Sequence, residues 1–249
     1  PCAGRSSRFR SFETPKPLAK IDGVPCLIRL IDDLCPYFKK VYVAVPNDPK
    51  IRDLYKTNID RYFSKSSIEM IEVEPGKGDG DAIYEVLKEI KNITYSSIMI
   101  AWGDAVINNK DLIHDCILGF NKLKTLTPLF FPTYETVNPY VSVARDNNGQ
   151  VVKINFTRKG DYVDYGESDL CIFFCSQNIF QYLDSYRSKI LDKKNGNYLT
   201  YNNEFNFLET VHDIASQNVE VVACCIGNED DVLSFNSLEE LNNVQLKIS

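Results

Sequence analysis

The chain has 249 residues, 44% hydrophobic and 25% charged, with a formal net charge of −6. That balance supports one well-developed core, excludes an intrinsically disordered chain, and leaves room for a single large α/β domain. No apolar run reaches the roughly eighteen residues of a membrane span, and the opening PCAGRSSRFR lacks a signal peptide's apolar stretch, so a cytoplasmic location is predicted.

Short β-branched runs alternate with helical spacing along the first half, the pattern of a sheet flanked by helices. Pro25 opens a helix over 26–38, with Leu27, Ile28, Leu30, Ile31 and Leu34 on one face. VYVAV (41–45) reads as a buried strand, and a polar helix covers 48–62. A strand over 68–73 breaks into EPGKGDG, after which Asp81 is expected to cap a helix running to 90. The strand 96–101 ends in WGDAVINN, and a helix follows over 110–120 with Ile113, Ile117 and Phe120 on one stripe. Strand-like runs at 127–134, 140–145, 151–157 and 169–175 then succeed one another through short loops such as DNNG, which suits a hairpin turn. Helices at 176–185 and 204–217, a strand at 219–225 and a terminal helix from Ser237 complete the chain. The expectation is one continuous Rossmann-like α/β domain over 1–249, its mixed, mostly parallel sheet flanked by helices, with an antiparallel subregion in the second half.

The eight cysteines form no C-x-x-C pair and six lie in apolar runs, so they read as reduced, buried thiols. His114 and His212 stand apart from any acidic or cysteine cluster, which leaves them structural. Charge is uneven: residues 1–20 carry +4 and the rest of the chain −10. A cationic loop on an acidic protein lacks the broad basic face that nucleic acid requires, and suits one phosphorylated small molecule.

Three loops lie where open α/β sheets bind ligands, beyond the carboxyl ends of strands. In the first, Ala3-Gly4-Arg5-Ser6-Ser7-Arg8 leads to Pro15-Lys16-Pro17; glycine admits close backbone approach, hydroxyls and amides can wrap phosphate oxygens, and Arg8 and Lys16 add positive charge. The G-x-x-x-x-G-K-[ST] spacing of a P-loop is absent. The second, Gly76-Lys77-Gly78-Asp79-Gly80-Asp81, can press backbone against a base or ribose. The third, Trp102-Gly103-Asp104, places a carboxylate directly after a strand, a common position for a Mg²⁺ ligand.

AGRSSRF…PKPL, GKGDGDA, WGDA, the Glu-x-Asp of GESDLCIFF and the late SFNSLEEL, in this order across nearly the whole chain, resemble the sugar nucleotidyltransferases. The member they are most similar to is the pyrophosphorylase domain of N-acetylglucosamine-1-phosphate uridylyltransferase. The resemblance implies NTP + X-phosphate → NDP-X + pyrophosphate, with a nucleoside triphosphate and a phosphorylated small molecule, a sugar phosphate first, as partners and Mg²⁺ as cofactor. It implies catalytic roles for Arg8 and Lys16, and nucleotide binding by Ala3, Gly4, Arg5, Ser6, Ser7, Gly78, Asp79 and Gly103. Asp104 and Asn236 would hold the metal; Tyr140, Glu167 and Asp169 would bind the acceptor. Nucleic acid and membrane are not expected partners, and homo-oligomerisation stays open.

The chain departs from that pattern in four places. The family's hydrophobic strand before the glycine loop does not appear after Pro1, so about half a dozen residues are expected upstream of this numbering, the alternative being a sheet without that strand, and Ser6 stands where glycine is usual. Around the family's uridine-reading glutamine the chain has Glu72, Glu74 and Asp79, acceptors that suit the amino group of cytosine, so CTP is favoured over UTP. Val141 and Asp169-Leu170-Cys171 replace acetamido-sugar signatures, which admits a non-sugar acceptor such as a phosphorylated amino-alcohol or amide of surface polysaccharide. Asp79-Gly80-Asp81 also matches the D-x-D of a glycosyltransferase, and a non-catalytic module on the same fold is the remaining rival.

Overall fold

A computed structural model describes residues 1–4, 14–63, 67–123 and 127–248. Strands β1 (Lys20–Ile21) and β2 (Val24–Pro25) form a hairpin closed by Asp22 and Gly23, both at positive φ as its two-residue turn demands. Helix α1 (Cys26–Leu34) follows, ending four residues short of the expected span. Next come β3 (Val41–Pro46) and α2 (Pro49–Tyr62), the latter opened by Asp48, whose carboxylate accepts from Lys50 N and Ile51 N. Then follow β4 (Ile68–Val73), α3 (Asp79–Glu89), β5 (Ile98–Ala101), β6 (Val106–Ile107) and α4 (Lys110–Leu123). The second half holds β7 (Leu129–Val137), β8 (Val141–Arg145), β9 (Val151–Phe156), β10 (Tyr165–Asp169), β11 (Ile172–Cys175), α5 (Ile179–Ile190), α6 (Phe207–Ser216), β12 (Val221–Cys225), β13 (Val232–Leu233) and α7 (Leu238–Ile248).

The alternation of helix and strand is as the periodicity predicts, but the sheet is not mostly parallel. Among the described pairings only β3·β4 and β12·β7 are parallel, and seven others are antiparallel. The cause is β7: it lies beside β10, β11 and β12, so consecutive second-half strands return along it through short loops instead of helical crossovers. The single strand expected over 169–175 is two. Asp169 pairs with Thr133 and Phe174 with Phe130, five steps against three, so Leu170 and Cys171 form a bulge with Cys171 at φ 60°. The DNNG loop is the predicted hairpin turn, with Gly149 at positive φ.

Side chains on β7 and β11 alternate between two buried faces. Leu129, Phe131, Phe173 and Cys175 pack under α3, α5 and α6, while Phe130, Ile172 and Phe174 pack under α1 and α4. A sheet covered on both sides explains why these strands read as unbroken apolar runs. All eight cysteines are free, and Cys225 is exposed. His212 Nδ1 accepts from Ile154 N at 3.2 Å, a structural role. No helix among the described residues is long and apolar enough to cross a membrane.

Residues 1–2 run between β3 and the end of β5: Cys2 N donates to Ala44 O at 2.9 Å and Gly103 N to Pro1 O at 3.3 Å. Beside them an apolar cavity of about 670 Å³ separates β3 from β5, walled by both strands and by α1 and α3 side chains.

Candidate active site

Three short backbone devices bring Lys16, Asp104 and Asn236 together. Lys16 opens a tight 3₁₀ turn over Lys16–Leu18, fixed by Leu18 N to Pro15 O and Ala19 N to Lys16 O, with Pro17 and Leu18 buried beneath it. Asp104 sits in the turn after β5, closed by Ala105 N to Trp102 O at 3.0 Å. It caps no helix; α4 begins at Lys110, where Asn109 Oδ1 accepts from Asp111 N. Asn236 arrives through the β6·β13 ladder, whose register, Val106 opposite Leu233, leads the two strands on to the Asp104 turn.

Lys16 Nζ makes an ion pair with Asp104 Oδ2 and donates to Asn236 Oδ1 at 3.3 Å, lying 5.2 Å from the centre of the buried Phe235 ring. The Lys16 and Asp104 side chains are 14% and 18% exposed, so the pair is poorly screened by water. The motif SFNS could have spent Asn236 on capping α7. Ser237 takes that role instead, its Oγ accepting from Glu240 N while Glu240 accepts from Asn236 N. The amide oxygen of Asn236 therefore faces the site.

Ala3 is buried against Ala44, Val73 and Ala82, and Gly4 has open space where a Cβ would stand. Gly103 packs so closely on Cys2 that a Cβ would run into its sulfur. Arg5, Ser6, Ser7 and Arg8 lie outside the described residues.

The acceptor candidates separate. Asp169 joins the centre: its Oδ2 accepts from Cys171 N at 3.0 Å, and Cys171 O accepts from Trp102 N at the Asp104 turn. Burial pushes the Asp169 carboxyl up to about 6, and Asp79 adds to the rise. Burial also drives the Cys171 thiol up, reinforced by Asp169, Asp104 and Asp79 and opposed by Lys16. Glu167 is committed elsewhere. Both its oxygens are held by Arg145, at 2.5 and 2.7 Å, and Thr133 adds a third bond at 2.7 Å. Burial alone would raise the Glu167 carboxyl, yet those bonds hold it below its ordinary value. The Tyr140 side chain is exposed.

The second loop is structural in large part. Gly78, at φ 104°, is the N-cap of α3, so the expected cap Asp81 instead lies inside the helix, buried and bonded by Tyr198 and Arg187. Gly78 and Gly80 let this turn lie directly against the backbone of Phe205 and Phe207. Asp79 Oδ1 accepts from Phe207 N at 2.8 Å, capping α6 from a distance. Both carboxylates of the formal D-x-D are thus engaged by protein. The other cytosine-reading candidates stay largely exposed: Glu72 pairs with Arg52 at 3.0 Å and Glu74 lies 3.7 Å from Lys77. Sequence reasoning missed Arg145 and Phe235; the one clue was Arg145 as a cation closing the strand VSVAR.

A family model described as the MobA-like NTP transferase domain matches residues 2–145. No curated protein matches the chain by sequence. Among solved structures it is similar to the nucleoside-diphosphate-sugar pyrophosphorylase from Vibrio cholerae RC9, at 13% identity and a TM-score of 0.69 over 98% of this chain and 97% of that one. It is also similar to HddC from Yersinia pseudotuberculosis, at 18% identity and a TM-score of 0.66 over 99% and 97%. HddC complexed with GMP-PN gives 16% identity and 0.65 over 96% and 92%. At such identities the likeness is one of fold. The nucleotidyltransferase resemblance stands, but these findings do not support its narrower form, the N-acetylglucosamine-1-phosphate uridylyltransferase member. With more than half its length matched, the chain belongs to the MobA-like NTP transferase domain family.

Proposed function

We propose that this domain transfers a nucleoside monophosphate from a nucleoside triphosphate to a phosphorylated small molecule X-phosphate, giving NDP-X and pyrophosphate. The convergence of Lys16, Asp104 and Asn236 beyond the strand ends carries the reading. An acceptor phosphate oxygen attacks the α-phosphorus, the bond to the β-phosphate oxygen breaks, and pyrophosphate leaves with the electron pair. The attacking group is already an anion and needs no general base; what the reaction needs is charge neutralisation where two anions meet. Lys16 supplies part of it, and Arg8 is assigned the triphosphate on the family resemblance.

Asp104 and Asn236 fit a Mg²⁺ ion: they are hard oxygen donors, and an ammonium already lies against both oxygens. When bound, the ion neutralises phosphate charge. Asp169 is assigned the acceptor's polar groups, while Glu167 orients β8 and β10 through Arg145. Asp79 is taken up by Phe207 N, while Glu72 and Glu74 stay largely exposed beside Arg52 and Lys77 and can still accept from an amino group, so CTP is the favoured triphosphate, ahead of UTP. The acceptor class spans sugar phosphates and phosphorylated amino-alcohols or amides.

The test is pyrophosphate release from each of CTP, UTP, GTP, ATP and dTTP with Mg²⁺ against a panel of both acceptor classes. One triphosphate with one acceptor class should release pyrophosphate stoichiometric with NDP-X. Asp104→Ala should lower turnover at least about a hundredfold in protein that remains folded. Release of a nucleoside diphosphate from a nucleotide-sugar instead would overturn the reading.

A further inference from the structure

The position that a divalent ion would take is held by a side chain of the protein itself. Lys16 Nζ lies against both proposed ligand oxygens, Asp104 Oδ2 and Asn236 Oδ1. We infer that Lys16 is the resident counter-ion of this site, excluding free divalent cations until a polyphosphate draws its ammonium away. The inference rests on the function proposed above and adds an order of binding to it.

The backbones on all three sides are fixed. The 3₁₀ turn pins Lys16 and the Trp102–Ala105 turn pins Asp104. The β6·β13 ladder and the Glu240 bond to Asn236 N pin Asn236. Among these groups only the four-carbon lysine stem can move far. An ammonium and a divalent ion compete for one carboxylate, because like charges about 4 Å apart in a partly dry site repel each other. With Lys16 in place the donor set offers no net negative charge, and Mg²⁺ gives up its water reluctantly. A triphosphate changes both conditions: its oxygens compete for the ammonium and add ligands for the ion. The cation then enters with the nucleotide, and Lys16 moves from Asp104 to phosphate.

The test uses the full chain and Mn²⁺, with inorganic tripolyphosphate standing for the nucleotide's phosphates. Binding of Mn²⁺ to the free protein is read from the loss of its free-ion spin-resonance signal. With tripolyphosphate it is read from quenching of Trp102, the chain's single tryptophan, two residues from Asp104. Wild type should bind Mn²⁺ at least about tenfold more weakly alone than with tripolyphosphate. Lys16→Met should bind Mn²⁺ alone about tenfold or more tighter than wild type, and Lys16→Arg should not. Lys16→Gln repeats the measurement should the methionine variant fail to fold.

If Lys16→Met and Lys16→Gln gain nothing, while Asp104→Asn still abolishes quenching with tripolyphosphate, the counter-ion role is overturned and the metal site stands. If Asp104→Asn leaves that quenching unchanged, the metal assignment itself fails.

Discussion

Asp169 is a carboxylate whose surroundings work against its own charge: burial raises it to about 6, and the carboxylate of Asp79 adds to the effect. The unfolded group titrates near 3.8. The native state therefore binds the extra proton between about pH 4 and 6, and stability falls as pH rises through that window. Above it the charged group costs roughly 3 kcal/mol, each tenfold change in proton affinity being worth about 1.4 kcal/mol. Asp169→Asn should raise the thermal midpoint at pH 7.5 by several degrees, and the gain should vanish by pH 4. A gain independent of pH would mean that packing, not charge, is relieved. A site that holds such a group ready stores binding energy for a substrate donor, so the same variant should lose acceptor affinity. At this scale Lys16 and Asp104 were legible in the short loops that carry them, and Asn236 only through the family resemblance. The engagement of Glu167 was not: its partner Arg145 lies 22 residues away, on a strand whose register no local pattern specifies.

The turn before α3 and the start of α6 depend on each other. Gly78 adopts φ 104°, and a Cβ there would strike the Phe205 carbonyl oxygen and come within 2.8 Å of the Phe205 nitrogen. Backbone cannot yield as a side-chain tip can. Gly78→Ala should cost about 3 kcal/mol or more, from the disallowed φ and the contact together, measured by denaturant unfolding. Asp79→Ala should cost about 1–2 kcal/mol by uncapping Phe207 N. A Gly78→Ala penalty below about 1 kcal/mol would show that the two loops can part. The glycine-rich run announced a turn correctly; only the packing of Phe205–Phe207 across it reveals that its glycines serve close approach of protein to protein. The two-residue strands β6 and β13 were illegible for a related reason, since a ladder so short has no period. Yet that ladder delivers Asn236 to Asp104.

On the scale of the whole molecule, residues 1–2 enter the fold between β3 and the end of β5. Among the described residues β3 pairs only with β4, and β5 only with β11, so each presents an unpaired edge to the cavity between them. Strands lie about 4.7–4.9 Å apart, so one strand in such a slot bonds to both edges at once. Cys2 N already donates to Ala44 O and Pro1 O already accepts from Gly103 N, which directs any residues joined ahead of Pro1 into the slot. The walls there are apolar, with Val43, Ile83, Leu87, Ile100 and Phe174 among them. A six-residue extension rich in valine and isoleucine, placed directly before Pro1, would bury about three side chains on each face. Each contributes about 1.5–3 kcal/mol, against an ordering cost of about 1–2 kcal/mol per residue, which leaves a net gain of a few kcal/mol. At about 2–4 °C per kcal/mol for a chain of this length, the thermal midpoint should rise by about 5 °C or more. Binding of an apolar dye to the folded chain of residues 1–249 should fall in parallel. A glycine-serine extension of equal length should do neither, since it brings backbone donors without apolar surface. Equal stabilisation by both extensions would locate the gain in the ladder alone, and no change with either would mean that the slot closes on itself in solution. Because Cys2 also seats Gly103, an ordered strand would hold the Asp104 turn against β3, and the same extension should tighten tripolyphosphate binding along with stability.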